Sequence, residues 1–207
     1  MYNLIPKMNN NLFGSGREKI LECFYKNRKR EIYFSEILRD TKLTPNTTLK
    51  HLKKLEANKL IFVKKSIGNT FYRVNPKNPI AYSVFSYFDD LRFLSLPVDR
   101  RTAVSEIFRK IQAKPLIALV FGSTADKTFK KGSDVDIALI YNKKERRDEK
   151  LAREIEGMTG IAIQTFIYEY DYFLSQLKMQ EDSVLLSAVE TCFVVEGHHL
   201  FYKAVLE

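Results

Sequence analysis

The chain has 207 residues, of which 45% are hydrophobic and 29% are charged, and this apolar fraction supports a folded core rather than disorder. No apolar run is long enough to cross a membrane, and the first residues lack the apolar stretch of a signal peptide. A cytoplasmic location away from membranes is therefore expected. The two cysteines, Cys23 and Cys192, have no metal-like spacing and are predicted to be small buried residues.

The formal net charge of +9 is distributed unevenly along the chain. Residues 1–76 hold 16 Lys and Arg against 6 Asp and Glu, a balance of +10, whereas residues 77–207 hold 18 against 19, a balance of −1. An evenly lysine-rich composition would not produce this difference. The asymmetry indicates two domains, of which the first faces a polyanion.

Residues 13–75 are predicted to form a helix, a short strand, two helices and a hairpin of two strands. Ser35 is a plausible N-cap for the second helix, and Thr44 before Pro45 is a strong start signal for the third. Leucines at helical spacing are expected to point inward from the third helix: Leu49, Leu52 and Leu55. A turn holding Gly68-Asn69 then joins the two strands.

The segment SEILRDTKLTPNTTLKHLKKLEANKLI carries a resemblance to the winged helix-turn-helix of archaeal and bacterial transcription regulators. The resemblance implies binding of double-stranded DNA, with the third helix in the major groove. On this interpretation the base-edge candidates are Asn46, Thr47 and Lys50, and the phosphate candidates are Lys53, Lys54, Lys64 and Lys65. The alternative is a winged helix used for protein contacts or dimerisation, with solvated lysines.

Residues 76–98 are predicted to form a linker whose main element is the helix AYSVFSYFDDLRFLSL, stopped by Pro97. This helix carries more apolar side chains than a surface helix needs, and its stripe comprises Ala81, Val84, Phe85, Phe88 and Leu91. Two explanations compete: burial between the domains, or a dimer interface. A homodimer is the favoured expectation.

Residues 99–207 are predicted to alternate helices and strands, beginning with a helix over 100–114 and the buried strand PLIALVFGS. A loop leads to the strand DVDIALIYN, followed by a charged helix and the strand IAIQTFIY. A helix, a short strand and a last helix end the chain. Alternation places Asp134 and Asp136 on one face of their strand, with the apolar residues Val135, Ile137 and Leu139 on the other. Two carboxylates on one face favour a divalent cation between them.

The motifs FGSTA and GSDVDIAL resemble the DNA polymerase β-like nucleotidyltransferase superfamily, and within it the minimal nucleotidyltransferase branch. Together with the first domain, the chain resembles archaeal proteins that join a winged helix to such a domain. The expected fold class is α+β: an N-terminal winged helix-turn-helix followed by a small mixed-sheet nucleotidyltransferase-like domain.

This second resemblance implies transfer of a nucleoside monophosphate from a nucleoside triphosphate, with ATP expected, to an acceptor hydroxyl on a protein or RNA. Asp134 and Asp136 would hold Mg²⁺ or Mn²⁺ as catalytic and metal-ligating residues, and Gly122 and Ser123 would bind phosphates. Lys131, with its loop neighbours Lys127 and Lys130, is a candidate for neutralising phosphate charge.

The implied reaction also needs a third carboxylate on the next strand, and Gln164 is the only polar candidate there. An amide cannot act as a base near neutral pH and is a weaker metal ligand. Glu169 and Asp171 would substitute only if the chain bent back toward the site. The alternative function is therefore a non-enzymatic dimeric transcriptional regulator, whose degenerate transferase domain senses a nucleotide or assembles the dimer.

Overall fold

The structure is a computed structural model that describes residues 15–143, 145–146 and 148–207. The chain divides into two compact units, one ending at Val84 and also taking in Leu206, the other running from Phe85 to Val205 with Glu207. The boundary falls inside the predicted linker 76–98. The predicted start of the first domain at residue 13 lies outside the described residues.

Up to residue 74, the described part of the first unit contains a three-stranded antiparallel sheet and three helices. In chain order the elements are α1 (Ser15–Lys26), β1 (Ile32–Tyr33), α2 (Phe34–Thr41), α3 (Pro45–Ala57), β2 (Ile61–Ser66) and β3 (Asn69–Val74). The strands lie in the order β1-β3-β2. This is the predicted succession of helices and strands. Its core includes the fully buried side chains Ile20, Phe24, Ile37, Leu52 and Leu55.

The helix starts are set by local hydrogen bonds, and one of them differs from the prediction. Thr44 is the N-cap of α3, where its Oγ1 accepts the Thr47 N–H at 3.4 Å. The prediction for Ser35 is wrong, because α2 already begins at Phe34. There the backbone N–H of Tyr33 donates to Oε2 of Glu36 at 2.8 Å, so a carboxylate rather than a serine hydroxyl serves this helix start.

Two further positions in the first unit differ from the prediction made from the sequence. Leu49 is 38% exposed instead of inward, because Thr48 occupies the buried face one turn before Leu52. The hairpin turn is Ile67-Gly68, since Ser66 and Asn69 are already paired. Gly68 has φ 77°, a left-handed conformation that glycine adopts without steric cost.

The chain from residue 79 onward forms a four-stranded mixed sheet and seven helices within the described residues. The elements are α4 (Pro79–Leu94), α5 (Val98–Lys110), β4 (Ile117–Phe121), α6 (Gly122–Asp126), β5 (Val135–Tyr141), α7 (Glu149–Thr159), β6 (Ile163–Glu169), α8 (Tyr170–Met179), α9 (Ser183–Thr191), β7 (Phe193–Glu196) and α10 (His198–Leu206). The strand order is β6-β5-β4-β7, with β5 parallel to β6 and the other pairs antiparallel. Helix α8 was not predicted.

One face of this sheet holds the main apolar core of the second unit. The odd-numbered residues of β5 pack there against α5 and α7, in a cluster that includes Val104, Ile107, Val135, Ile137, Leu139, Leu151 and Ile155. This confirms the predicted inward face of β5. Because successive side chains on a strand alternate, Asp136 lies on the opposite face of the sheet.

The second half of α4 packs within the chain against α10. The rings of Phe85 and Tyr202 meet edge-on at 5.2 Å, and the Tyr202 hydroxyl donates to Oδ2 of Asp89 at 2.6 Å. Phe88 is also buried, while Leu91 is exposed. The apolar surplus that favoured a homodimer is thus largely covered in a single chain.

Both cysteines are buried and carry free thiols, as predicted. Burial, together with the nearby Asp40 carboxylate, raises the pKa of the Cys23 thiol to about 11. No helix among the described residues is long and apolar enough to cross a membrane.

Candidate functional site

The two motif aspartates lie at the start of β5, in the middle of the sheet. Asp134 immediately precedes the strand, and Asp136 is its second residue, paired in register with Phe121 of β4 and Gln164 of β6. Both aspartates are half-buried. Residues paired in register project from the same face of a sheet, so Asp136 is flanked by an aromatic ring on one side and an amide on the other.

Gly122 brings the Gly-Ser motif against the second aspartate. It has φ 63°, and a Cβ at this position would lie 2.4 Å from Oδ2 of Asp136. Any side chain here would therefore require both a strained backbone and displacement of the carboxylate. Ser123 follows in the first turn of α6 and is half-buried. The two motifs, separated in sequence, thus meet at Gly122 and Asp136.

Burial and the neighbouring Asp134 disfavour the ionisation of Asp136. The pKa of Asp136 is raised, first by its burial and second by the neighbouring negative charge of Asp134. Both causes disfavour the ionised carboxylate, and both would be offset by a bound cation. The electrostatics of the pair are those of a site that accepts positive charge.

The third position of the predicted carboxylate set is occupied by Gln164. Its backbone pairs with Asp136, and its side chain is exposed. Glu169 pairs with Tyr141 at the other end of β6, five residues away, which places it about 16 Å along the strand and on the opposite face. Asp171 lies still further on, in the first turn of α8. Neither acid on β6 or α8 is positioned to replace Gln164.

The donor set fits a divalent ion held by two carboxylates and completed by oxygens from a ligand. Among the described residues, no group of three or more His, Cys, Asp or Glu side chains converges on one point. Mg²⁺ commonly takes only one or two protein carboxylates and fills its other positions with phosphate oxygens and water. The described residues therefore form no all-protein cage of three acids.

An open groove adjoins Asp134 between α7 and β6. Its lining comprises Asp134, Glu149, Arg153, Glu156, Gln164 and Thr165. Asp134 is consequently accessible from solvent on this side, which is what a site for an external ligand requires.

The loop lysines lie apart from the aspartates in the contacts that the structure describes. Lys131 is exposed on a turn with Gly132, and none of the described hydrogen bonds or ion pairs joins its side chain to Asp134 or Asp136. The backbone N–H of Lys130 donates to the Ser133 hydroxyl at 3.0 Å, so this residue shapes the loop. Lys131 stays a prediction as a phosphate ligand.

Two buried polar residues beside the aspartates were missed in the sequence. Arg100 of α5 and Thr124 of α6 are both buried, and the Arg100 Nη1 donates to the Thr124 hydroxyl at 2.8 Å. The sequence contains one indication that Arg100 is unusual. Arg100 continues the apolar stripe of Val104 and Ile107 at helical spacing, where a charged residue is out of place.

The predicted DNA-contact residues of the first unit lie on accessible surface. Asn46, Lys50 and Lys53 follow one another at helical spacing along α3, and all three are exposed. Thr47 is half-buried and accepts a hydrogen bond from the Thr44 hydroxyl at 2.9 Å, so part of its polar capacity serves the helix start. Three further lysines are exposed: Lys54, Lys64 and Lys65.

Comparison with known proteins identifies one family for part of the second unit. Residues 103–189 match the family described as "Polymerase beta, Nucleotidyltransferase". The matched segment contains Gly122, Ser123, both aspartates and Gln164, and it supports a nucleotidyltransferase domain over this stretch. It covers less than half of the chain and leaves α1 to α4 outside. No curated protein and no solved structure matches the chain.

Proposed function

We propose that this protein binds a nucleoside triphosphate together with Mg²⁺ at Asp134, Asp136, Gly122 and Ser123, and transfers the nucleoside monophosphate to an acceptor hydroxyl. The observation that carries the proposal is the contact between Gly122 and Asp136 inside a segment that matches nucleotidyltransferases. Two sequence motifs, proposed to bind phosphate and metal respectively, meet there in one place.

In this reaction the acceptor oxygen attacks the α-phosphorus, the bond to the β-phosphate oxygen breaks, and pyrophosphate leaves. Asp134 and Asp136 would hold the metal ion, which would neutralise charge on the triphosphate. The proton of the acceptor hydroxyl must pass to a base or to solvent, and Gln164 cannot take it at neutral pH. Slow transfer is therefore expected, with Mn²⁺ supporting binding as well as Mg²⁺.

The first unit is proposed to be a winged helix that binds double-stranded DNA. The arguments are its helix and strand order, the +10 balance of residues 1–76 and the row of exposed polar and basic residues on α3. Asn46, Thr47 and Lys50 are then placed for base edges at the start of the recognition helix. Lys53 and Lys54, with Lys64 and Lys65 on the hairpin, are placed for phosphates.

The second candidate function is a regulator that binds DNA and senses the nucleotide without transferring it. Gln164 is the specific observation that favours this candidate, because it removes the third acid while the other motif residues remain. Linkage then requires that the nucleotide–metal complex and DNA change each other's affinity by the same factor. In a transferase that DNA binding only localises, the nucleotide need not change the affinity for DNA.

The experiment for the main proposal measures binding of Mn²⁺–ATP by calorimetry and transfer of label from α-labelled ATP to candidate protein and RNA acceptors. We expect binding by the unchanged chain, and loss of binding and transfer in Asp134→Asn and Asp136→Asn. Asp126→Asn is the matched control, since Asp126 is an exposed aspartate at the end of α6. Absence of nucleotide binding in the unchanged protein would refute the proposal.

The two candidates are separated by measuring DNA affinity with and without Mn²⁺–ATP. A change in DNA affinity that disappears in Asp136→Asn, without label transfer to any acceptor, supports the sensor. Label transfer with unchanged DNA affinity supports the transferase.

A further inference from the structure

Arg100 lies buried beneath the loop that carries the first aspartate. Its side chain is 3% exposed, and its guanidinium donates to three oxygens of the segment 124–134. Nη1 donates to the Thr124 hydroxyl at 2.8 Å and to the Asp134 carbonyl at 3.0 Å, while Nη2 donates to the Ser133 carbonyl at 2.7 Å. The charged group also lies over the ring of Phe129, 4.1 Å from its centroid.

This arrangement ties the Gly-Ser helix to the aspartate. Thr124 belongs to α6, directly after Ser123, and its hydroxyl also lies 3.3 Å from the Asp134 carbonyl. Residues 127–134 form no helix or strand, and on its other side Asp134 adjoins Val135, whose N–H donates to the Ala162 carbonyl at 2.9 Å. Arg100 binds the backbone carbonyl of Asp134, and none of the described hydrogen bonds joins its guanidinium to the carboxylate of that residue.

Simple stability is a poor explanation for a buried arginine at this position. The guanidinium pairs with no carboxylate among the described residues, and its partners are neutral oxygens. Burying a charge without an opposite charge beside it is costly. The planar fork of donors does, however, fix three acceptors in one geometry, which an apolar side chain cannot do.

We propose that Arg100, acting through Thr124, is a positioning residue of the site: it sets the spacing between Gly122–Ser123 and Asp134 to suit a phosphate-bound metal. The inference rests on the proposed nucleotide binding and deepens it. Arg100 precedes the segment that matches the nucleotidyltransferase family, so its role is not implied by that match.

The test combines two measurements on the full chain: the affinity for Mn²⁺–ATP, and amide hydrogen exchange of residues 127–134 without ligand. Arg100→Met and Thr124→Val should weaken binding at least tenfold and accelerate exchange in the loop. Thr124→Ser, which keeps the hydroxyl, should bind like the unchanged protein. Arg100→Lys should fall between, since one ammonium cannot reproduce the fork.

Arg101→Met is the matched control. Arg101 is the next residue of α5 and donates only to the Leu94 carbonyl, at 3.0 Å, among its described hydrogen bonds. It should alter neither the affinity nor the exchange of residues 127–134. If Arg100→Met does not fold, the comparison of Thr124→Val with Thr124→Ser decides the question.

Folded Arg100→Met or Thr124→Val protein with unchanged affinity and unchanged loop exchange would overturn the inference. So would a loss of affinity without faster exchange in residues 127–134. If the unchanged protein binds no Mn²⁺–ATP, the proposed function fails. In that case, faster amide exchange of residues 127–134 in Arg100→Met would still show that Arg100 holds this loop in position.

Discussion

Gln164 is the residue that bears most directly on the proposed transfer. Its backbone pairs with Asp136 on the neighbouring strand, and both side chains project from the same face. An acid in its place would stand beside the two aspartates and complete a set of three carboxylates. The amide keeps a weak oxygen ligand but adds neither negative charge nor basicity.

Replacing Gln164 with Asp should strengthen metal binding and speed any transfer. We expect affinity for Mn²⁺–ATP to rise about tenfold, because a carboxylate is a better ligand than an amide oxygen. Without metal, a third acid beside Asp136 adds repulsion, so the melting temperature should fall and then recover when Mn²⁺ is added. Calorimetry and thermal unfolding measure both effects.

Gln164→Asn is the control, since it shortens the side chain equally and keeps the amide. If it changes affinity as much as the aspartate does, side-chain length rather than charge is responsible. Equal affinity of Gln164→Asp and the unchanged protein would show that this position does not contact the metal.

At the scale of elements, α3 presents its basic residues together on one exposed side. Substituting Lys50, Lys53 and Lys54 with Gln should weaken binding to duplex DNA. Each neutralised phosphate contributes about −0.9 to the slope of log affinity against log salt, so the slope should lose about 2.7 in magnitude. Fluorescence anisotropy over a series of salt concentrations measures this.

The charge-matched control is the substitution of Lys127, Lys130 and Lys131, which are exposed and belong to the second unit. It removes the same total charge and should leave the salt slope unchanged. Equal effects of the two triple substitutions would mean that net charge alone, and not the α3 surface, attracts DNA.

The contact between α4 and α10 depends on a buried hydrogen bond. Tyr202 and Asp89 are both inaccessible to solvent, and the phenol donates to the carboxylate at 2.6 Å. Tyr202→Phe should lower the free energy of unfolding by about 1–3 kcal/mol, because a buried acceptor loses a donor. Tyr172→Phe removes an exposed phenol bond to Asp182 and should cost far less. Denaturant titration compares the two, and similar losses would contradict the argument.

At the scale of the whole molecule, the structure changes the case for a homodimer. That expectation came from the apolar surplus of α4, yet Phe85 and Phe88 are buried in a single chain. We therefore expect light scattering at micromolar concentration, without DNA, to report the monomer mass of 24.2 kDa. A mass twice as large would require an interface elsewhere than this stripe.

Much of the organisation could be predicted because it depends on local pattern. Composition alone shows the charge asymmetry between residues 1–76 and 77–207. Short local patterns show the capped start of α3 at Thr44 and the alternation of β5. The motifs FGSTA and GSDVDIAL likewise point to the second domain, and residues 103–189 match nucleotidyltransferases. These patterns lie within the sequence itself, so they can be recognised without knowing the tertiary structure.

Other features depend on contacts between distant parts of the chain, and only the tertiary structure decided them. Strand register placed Gln164 beside Asp136 and carried Glu169 about 16 Å away along β6. The close approach of Gly122 to Asp136 and the burial of Arg100 under the aspartate loop arise from packing between elements. Local pattern identified which residues carry the chemistry, whereas long-range pairing determined which of them meet.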